Sequence, residues 1–266
     1  MKAQAILDNA PRHATAAPSV SLPARVRIRL WDLPLRLFHW LLVLAVAVAL
    51  ITGQLGGAWM ELHGKAGLSI IGLVVFRLVW GVIGSAHARF LSFLPTPSRL
   101  KAYLTRRWRG VGHNPLGALS VIALLGLLAA QATTGLFSND DIAFSGPLFA
   151  LVDEALAGRL TSLHKQFANV LWGLLALHVA AIAFYAAFKR DNLVKPMVTG
   201  WKEVERHQAP PADHQNASGR KGGAIAFVVA LAVAVAVVYG VSGAALPGSP
   251  AAAAEPATAT QGKPGW

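Results

Sequence analysis

The chain contains five apolar runs that are long enough to cross a lipid bilayer. A membrane-spanning helix needs about 20 mostly apolar residues, because the hydrocarbon core is roughly 30 Å thick. Charged residues make up only 14% of the chain, against about 25% in soluble domains. The runs cover residues 35–54, 62–83, 116–137, 163–188 and 224–245. The sequence therefore predicts an all-α membrane protein.

Basic residues are concentrated in alternate connecting segments. Nineteen of the 24 Lys and Arg residues lie before or at the very start of the first run, between the second and third, or between the fourth and fifth. Cytoplasmic loops of membrane proteins are enriched in Lys and Arg, so these three segments are predicted to be cytoplasmic. The N-terminus is then cytoplasmic and the C-terminus lies outside. Membrane topology explains the net charge of +12, and no nucleic-acid partner is predicted.

The chain has no cysteine. This excludes disulfides, cysteine-ligated iron–sulfur clusters and covalent c-type haem attachment. Any bound metal or cofactor must be held by histidine, methionine or carboxylate side chains.

Four histidines lie at or within the predicted spans, where ionisable side chains usually mark function. By the predicted orientation, His39 is near the cytoplasmic face, and His63 and His164 are near the outer face. His178 follows His164 by 14 residues, which is about 21 Å along a helix and nearly four full turns. His178 therefore reaches the depth of His39, and the histidines form an outer pair and a cytoplasmic pair.

Two histidines from facing helices at one depth suit a haem with both axial positions filled. Such a haem has no open position for dioxygen and suits electron transfer. The alternatives are structural, hydrogen-bonded histidines or a zinc transporter. Zinc would favour carboxylates beside the histidines, and the spans contain almost none.

Four further residues are candidates for secondary roles. Arg77 lies 14 residues after His63, at the cytoplasmic level, where it could bind a haem propionate or extend to the membrane surface. Lys65 and Lys165, beside the outer histidines, are candidate partners of outer propionates. His113, at the cytoplasmic start of the third span, is a candidate quinone-site residue or an ordinary interfacial histidine.

Several motifs resemble the bacterial cytochrome b561 family, and within it the b-type cytochrome subunits of nickel–iron hydrogenases. The resemblance covers about residues 28–202. The motifs are RLFHW (36–40), LHGKAG (62–67), FRLVWGVIG (76–84), GHNPLGALS (112–120), GLFSNDDIAFSGPL (135–148), LHKQFANVLWGLLALH (163–178) and DNLVKPMVTGWK (191–202).

The resemblance implies a four-helix transmembrane bundle in a bacterial inner membrane, with two haem b groups. His39 would pair with His178, and His63 with His164. It also implies electron exchange between a periplasmic redox partner, such as a hydrogenase or a c-type cytochrome, and membrane quinone. We expect an electron-transfer subunit of a quinone-linked oxidoreductase. The alternatives are a stand-alone superoxide:quinone oxidoreductase and a non-redox membrane anchor or transporter.

The chain divides into five predicted regions. Residues 28–202 are expected to form the di-haem domain, and residues 222–246 a fifth transmembrane helix outside the family pattern. Residues 1–27 and 247–266 are expected to be disordered tails, with residues 203–221 as a cytoplasmic linker. The acidic outer loop between the third and fourth spans could dock a basic partner or cap the outer haem.

Overall fold

A computed structural model describes residues 25–108, 110–142, 144–206 and 223–244. The predicted tails, apart from a few residues beside the domain, and most of the predicted linker lie outside these residues. The described elements are, in chain order, β1 (Arg25–Arg29), α1 (Leu33–Leu55), α2 (Met60–Ile83), α3 (Phe90–Phe93), α4 (Pro97–Leu104), α5 (Pro115–Gly135), α6 (Glu154–Ala187), α7 (Val194–Thr199), β2 (Trp201–Glu205) and α8 (Ala224–Val241). Single 3-10 turns precede α2 and α6.

Five of these helices are long and apolar enough to cross a membrane: α1, α2 with its preceding turn, α5, α6 and α8. This confirms the predicted helical fold with five candidate spans. The helix α6 has 34 residues, about 51 Å, which exceeds the roughly 30 Å hydrocarbon core. It begins nine residues before the predicted span at residue 163, so it is longer than one crossing of the hydrocarbon core requires.

Side-chain caps define where three of the long helices begin. The first N–H groups of a helix have no intrahelical acceptor, and Asp or Asn at the N-cap supplies one. Asp32 accepts from the backbone N–H of Leu35 at 2.7 Å, and Asn114 accepts from that of Gly117 at 2.7 Å. Asp153 caps α6 in the same way. Proline in the first turn of α1 and α5 strengthens both starts.

Helix α2 is the central element of the bundle. It packs against α1, α5 and α8, and α5 also packs against α6. Within the described residues, no comparable interface joins α1 to α6. These two helices, which carry His39 and His178, therefore have little direct contact.

The fifth spanning helix, α8, lies antiparallel to α2. Near its start, Phe227 contacts the rings of Phe76 and Trp80 at 5.8 and 6.3 Å. Near its end, Val238 lies so close to Gly72 that an added Cβ there would be 3.0 Å away. Small residues on α8, Ala230 and Ala234, are almost fully buried, so the two helices approach closely.

A two-stranded antiparallel sheet joins the two ends of the four-helix domain. Arg25 pairs with Glu205 and Arg29 with Trp201. The expected domain covers residues 28–202. Strand β1 begins three residues before it and strand β2 ends three residues after it. The sequence did not predict these strands, because short paired strands depend on a partner that is distant in the chain.

Candidate functional site

His63 on α2 and His164 on α6 face each other inside the bundle. Their ring centroids are 6.0 Å apart and their planes are 86° apart. A metal–imidazole bond is about 2 Å long, so two imidazoles on opposite sides of one metal have ring centres roughly 6 Å apart. The spacing of these rings fits two axial ligands of a single iron.

Backbone carbonyls select the same tautomer in both rings. Nδ1 of His63 donates to the carbonyl oxygen of Ala49 at 2.8 Å. Nδ1 of His164 donates to the carbonyl oxygen of Gln131, also at 2.8 Å. A carbonyl only accepts, so each ring carries its proton on Nδ1 and the lone pair on Nε2. Metal-binding histidines are commonly oriented in this way.

Both histidines line one cavity of about 480 Å³. Its walls come from α1, α2, α5, α6 and the loop between α5 and α6, and many of its lining side chains are apolar, among them Val46, Leu50, Leu68, Ile71, Leu128 and Leu171. Cofactor pockets commonly have volumes of about 300–1,000 Å³ and mostly apolar walls. The cavity and its two imidazoles therefore fit a haem.

Two glycines leave room for the histidine rings. A Cβ added at Gly53 would lie 3.0 Å from Cε1 of His63, and one at Gly135 would lie 2.9 Å from Cε1 of His164. Carbon atoms that are not bonded to each other normally stay at least about 3.5 Å apart. Any larger residue at either position would press on the ring.

The outer loop, residues 138–147, covers the outer end of this cavity. Asp140 Oδ1 accepts backbone N–H bonds from Ile142 and Phe144 at 3.0 and 2.8 Å. These bonds hold Phe144 over Gly64, where an added Cβ would be 2.9 Å from its ring. The loop thus has the position expected of a cap, while Asp141 and Ile142 are exposed at its tip.

The two candidate lysines have different surroundings. Lys165 lines the cavity. Lys65 is not among the lining residues and instead forms an exposed ion pair with Glu61 at 2.6 Å. The structure therefore does not bring Lys65 to the cavity, because a carboxylate one turn away holds its ammonium group at the surface.

His39 on α1 and His178 on α6 form a second, looser pair. Both side chains are half-buried, and they are close enough for a charge on one to act on the other. Their rings make no direct contact within the described structure. They lie on α1 and α6, which have little direct contact with each other.

Arg77 lies inside the protein and does not extend to the membrane surface. Its side chain is 2% exposed, its guanidinium lies over the Phe90 ring at 4.5 Å, and its Nη1 has no hydrogen-bond partner. The ionisable groups near it include Asp32 and His113. A buried donor without an acceptor is costly, so Arg77 is suited to bind a carboxylate or carbonyl oxygen.

His113 lies between two aromatic rings near Arg77. The ring centroids of Trp31 and Phe93 are each 4.6 Å away, and Nδ1 is buried without a partner. Burial, together with the charges of Arg77 and His87, lowers the pKa of His113 to about 4. His113 is therefore neutral near pH 7 and holds no imidazolium proton to donate there.

Sequence reasoning missed Asp32 and Gln131. Asp32 Oδ2 accepts hydrogen bonds from Trp80 Nε1 at 3.1 Å and from Ser85 Oγ, which tie the start of α1 to the end of α2. Gln131 supplies a backbone acceptor to His164 and also places its side-chain amide 3.2 Å from Nε2 of that ring. The sequence did contain a signal for Gln131, because it is a polar amide within the mostly apolar run LLAAQATTG (127–135).

No group of three or more His, Asp or Glu side chains converges as a metal-ion site within the described residues. The histidines occur as pairs on facing helices instead. Five candidate spans that enclose paired imidazoles define a multi-pass membrane protein of the haem-binding, electron-transfer class.

Comparison with known proteins places the chain within that class. Residues 30–200 match the family model described as prokaryotic cytochrome b561, and the chain belongs to this family. It is therefore a b-type cytochrome, which implies haem b. The family resemblance drawn from the sequence motifs is confirmed.

Curated relatives are named as hydrogenase cytochrome subunits. The "Probable Ni/Fe-hydrogenase B-type cytochrome subunit" of Azotobacter chroococcum mcd 1 is 25% identical over 214 residues, covering 66% of this chain and 88% of the relative. The "Probable Ni/Fe-hydrogenase 1 B-type cytochrome subunit" of Escherichia coli (strain K12) is 21% identical over 211 residues, covering 65% and 89%. No solved structure matches the chain.

Proposed function

We propose that this protein is a di-haem b-type cytochrome of a bacterial inner membrane that transfers electrons between a periplasmic partner and membrane quinone. The observation that carries the proposal is the His63–His164 pair. Its rings are 6.0 Å apart, they line one cavity, and backbone carbonyls leave the lone pair of each ring on Nε2. Nε2 of His164 accepts from the Gln131 amide at 3.2 Å, and iron would take the place of that amide.

His63 and His164 would bind the outer haem through Nε2. The carbonyls of Ala49 and Gln131 hold the two rings in orientation and increase their basicity. The apolar cavity walls and Phe144 would exclude water, and Lys165 is in position to bind a propionate. When bound, haem supplies one-electron redox chemistry, and two axial histidines suit it to electron transfer.

His39 and His178 would hold the second haem between α1 and α6. Arg77 is the candidate for its propionate, since it is buried with an unpartnered Nη1. Arg77 interacts with Asp32 and His113, so its role depends on a propionate extending toward that cluster. Replacing Arg77 with Leu would then shift the potential of this haem more than that of the outer haem.

His113 is the candidate contact for quinone on the cytoplasmic side. Its neutral imidazole can form a hydrogen bond with a quinone carbonyl through the unpartnered Nδ1. A pKa of about 4 argues against imidazolium as the proton source. Another group or water would therefore supply the protons that quinone reduction consumes.

The relatives suggest the class of partner. Their names identify cytochrome subunits of nickel–iron hydrogenases, and we propose that this chain likewise accepts electrons from a hydrogenase at its outer face. The exposed carboxylates of Asp141, Asp153 and Glu154 on that face would favour a partner surface with basic residues.

Haem content of single-histidine variants tests the ligand assignment. Purified wild-type protein should contain two haems per chain, and His178→Ala should retain the outer haem while losing the second one. His214→Ala, at a histidine without an assigned role, is the matched control and should retain both. Unchanged haem content in His178→Ala would count strongly against the assignment.

Activity measurements distinguish an electron-transfer subunit of a hydrogenase from a stand-alone superoxide:quinone oxidoreductase. Reduction of a quinone analogue in proteoliposomes should require added hydrogenase and hydrogen. Steady-state quinone reduction by superoxide with the purified chain alone would instead support the stand-alone oxidoreductase.

A further inference from the structure

The segment of residues 89–108, which we call the α3–α4 segment, carries a high density of positive charge. Four of its cations are exposed: Arg99, Lys101, Arg106 and Arg107. The sequence contains no Asp or Glu between Glu61 and Asp140. The segment therefore has no carboxylate of its own to offset these charges.

Carboxylates elsewhere on the same side of the protein are engaged by other groups. Asp32 accepts from Trp80 and Ser85, and Asp191 pairs with Lys202 at 2.8 Å. Glu203 and Glu205 lie opposite arginines in the strand pair. Within the described residues, none of the four exposed cations has a carboxylate within 4.0 Å, so they are available to an external anion.

Exposed apolar side chains lie within the same segment. Leu91 is 83% exposed, Leu104 is 67% exposed and Leu94 is 43% exposed. They continue the apolar surface at the end of α2, where Val82 is 69% exposed. A cationic segment with exposed leucines at the membrane boundary is the pattern of an interfacial, lipid-binding element.

Hydrogen bonds hold this segment in a defined position on the bundle. The Tyr103 hydroxyl is hydrogen-bonded to that of Tyr185 on α6, and Asn114 donates to the same Tyr185 oxygen at 2.6 Å. Arg99 donates to the carbonyl oxygens of Ser92 and Leu94 at 3.2 and 3.1 Å. The binding surface would thus be largely preorganised, which reduces the entropy lost on binding.

The backbone at the end of α4 is strained in a way that displays two arginines. Arg106 has φ of +58°, a conformation that is unfavourable for residues with a side chain. The carbonyl oxygen of Ala102 accepts from the N–H groups of both Arg107 and Trp108, at 2.8 and 3.0 Å. This turn leaves Arg106 and Arg107 adjacent and exposed.

We propose that the α3–α4 segment binds anionic phospholipid of the cytoplasmic leaflet, with the lipid phosphate held by Lys101, Arg106 and Arg107. The exposed leucines contact the adjoining acyl chains. The proposal does not depend on haem or on the redox partner. Bound lipid would also restrict the movement of the C-terminal end of α6, the helix that carries His178, because Tyr103 of the segment is hydrogen-bonded to Tyr185 of α6.

Lipid titration of the full-length purified protein tests this proposal. The measurement is native mass spectrometry in mild detergent with added phosphatidylglycerol or phosphatidylcholine. We expect phosphatidylglycerol to bind more tightly, and Arg106→Gln with Arg107→Gln to weaken it about fivefold for each cation removed. Phosphatidylcholine binding should change little, and added salt should weaken the phosphatidylglycerol preference.

The matched control is Arg25→Gln with Arg27→Gln, which removes the same charge from the strand pair, where Glu205 and Glu203 lie opposite. This control should retain the lipid preference. Equal losses in the two double variants would overturn the proposal, because net charge alone would then explain binding. Equal binding of soluble glycerol phosphate would also overturn it, since the leucine contacts would contribute nothing.

Discussion

At the scale of single residues, the outer site depends on groups that orient the histidines. His63 and His164 each use one ring nitrogen for a carbonyl on a neighbouring helix. Each also lies against a glycine whose missing side chain makes room for the ring. The orientation of each imidazole therefore comes from a neighbouring helix, and not from the helix that carries it.

Replacing Gly135 with Ala tests this dependence. The new Cβ would lie 2.9 Å from Cε1 of His164, so the ring must move, and retention of the outer haem should weaken about tenfold. Gly126→Ala on the same helix, where an added Cβ meets nothing within 4 Å, is the control. The rate at which haem transfers from each variant to added apomyoglobin measures haem retention. Equal retention in the two variants would contradict the steric argument.

At the scale of elements, α2 is constrained on several sides. It meets α1, α5 and α8, and its C-terminal end is tied to Asp32 through Trp80 and Ser85. The same Trp80 contacts Phe227 of α8. Helix α8 lies outside the matched region 30–200, yet it covers a face of the helix that carries His63 and Arg77.

A larger residue at Ala234 should weaken this contact. Ala234 is 4% exposed on α8, whereas its neighbour Val235 is 60% exposed. We expect Ala234→Leu to destabilise the protein by about 1–3 kcal/mol through overpacking, and Val235→Leu to have little effect. Thermal unfolding in detergent measures the difference. Identical melting temperatures would mean that α8 does not dock on α2 as described.

At the scale of the whole molecule, the five candidate spans among the described residues predict that residues 25 and 244 lie on opposite sides of the membrane. The strand pair brings residues 25–29 and 201–205 together on one side, which closes the four-helix domain. Helix α8 then runs back along α2, and Gly243 approaches the carbonyl oxygen of Pro147 in the outer loop.

Reporter fusions test this topology. Alkaline phosphatase fused after Arg206 should be inactive, because that position is predicted to be cytoplasmic. The same enzyme fused after Ala244 should be active, because it folds only after export. Activity at both positions, or at neither, would show that α8 does not cross the membrane between them.

The sequence by itself determined the family and the five candidate spans, and it predicted the pairing of four histidines by depth. These features are local, because a helix in lipid must satisfy its own backbone and because depth follows from residue count along one helix. The motif from His164 to His178 was enough to predict two levels without any contact between helices.

Only the tertiary structure decided which groups meet across the helices. The carbonyl partners of the histidines, the glycines against their rings and the position of Phe144 over the cavity all depend on how each helix is rotated about its axis. The same holds for Arg77, which the structure brings to Asp32 and His113, and for Lys65, which pairs with Glu61. Apolar periodicity constrains that rotation weakly in a membrane, because lipid and protein are both apolar.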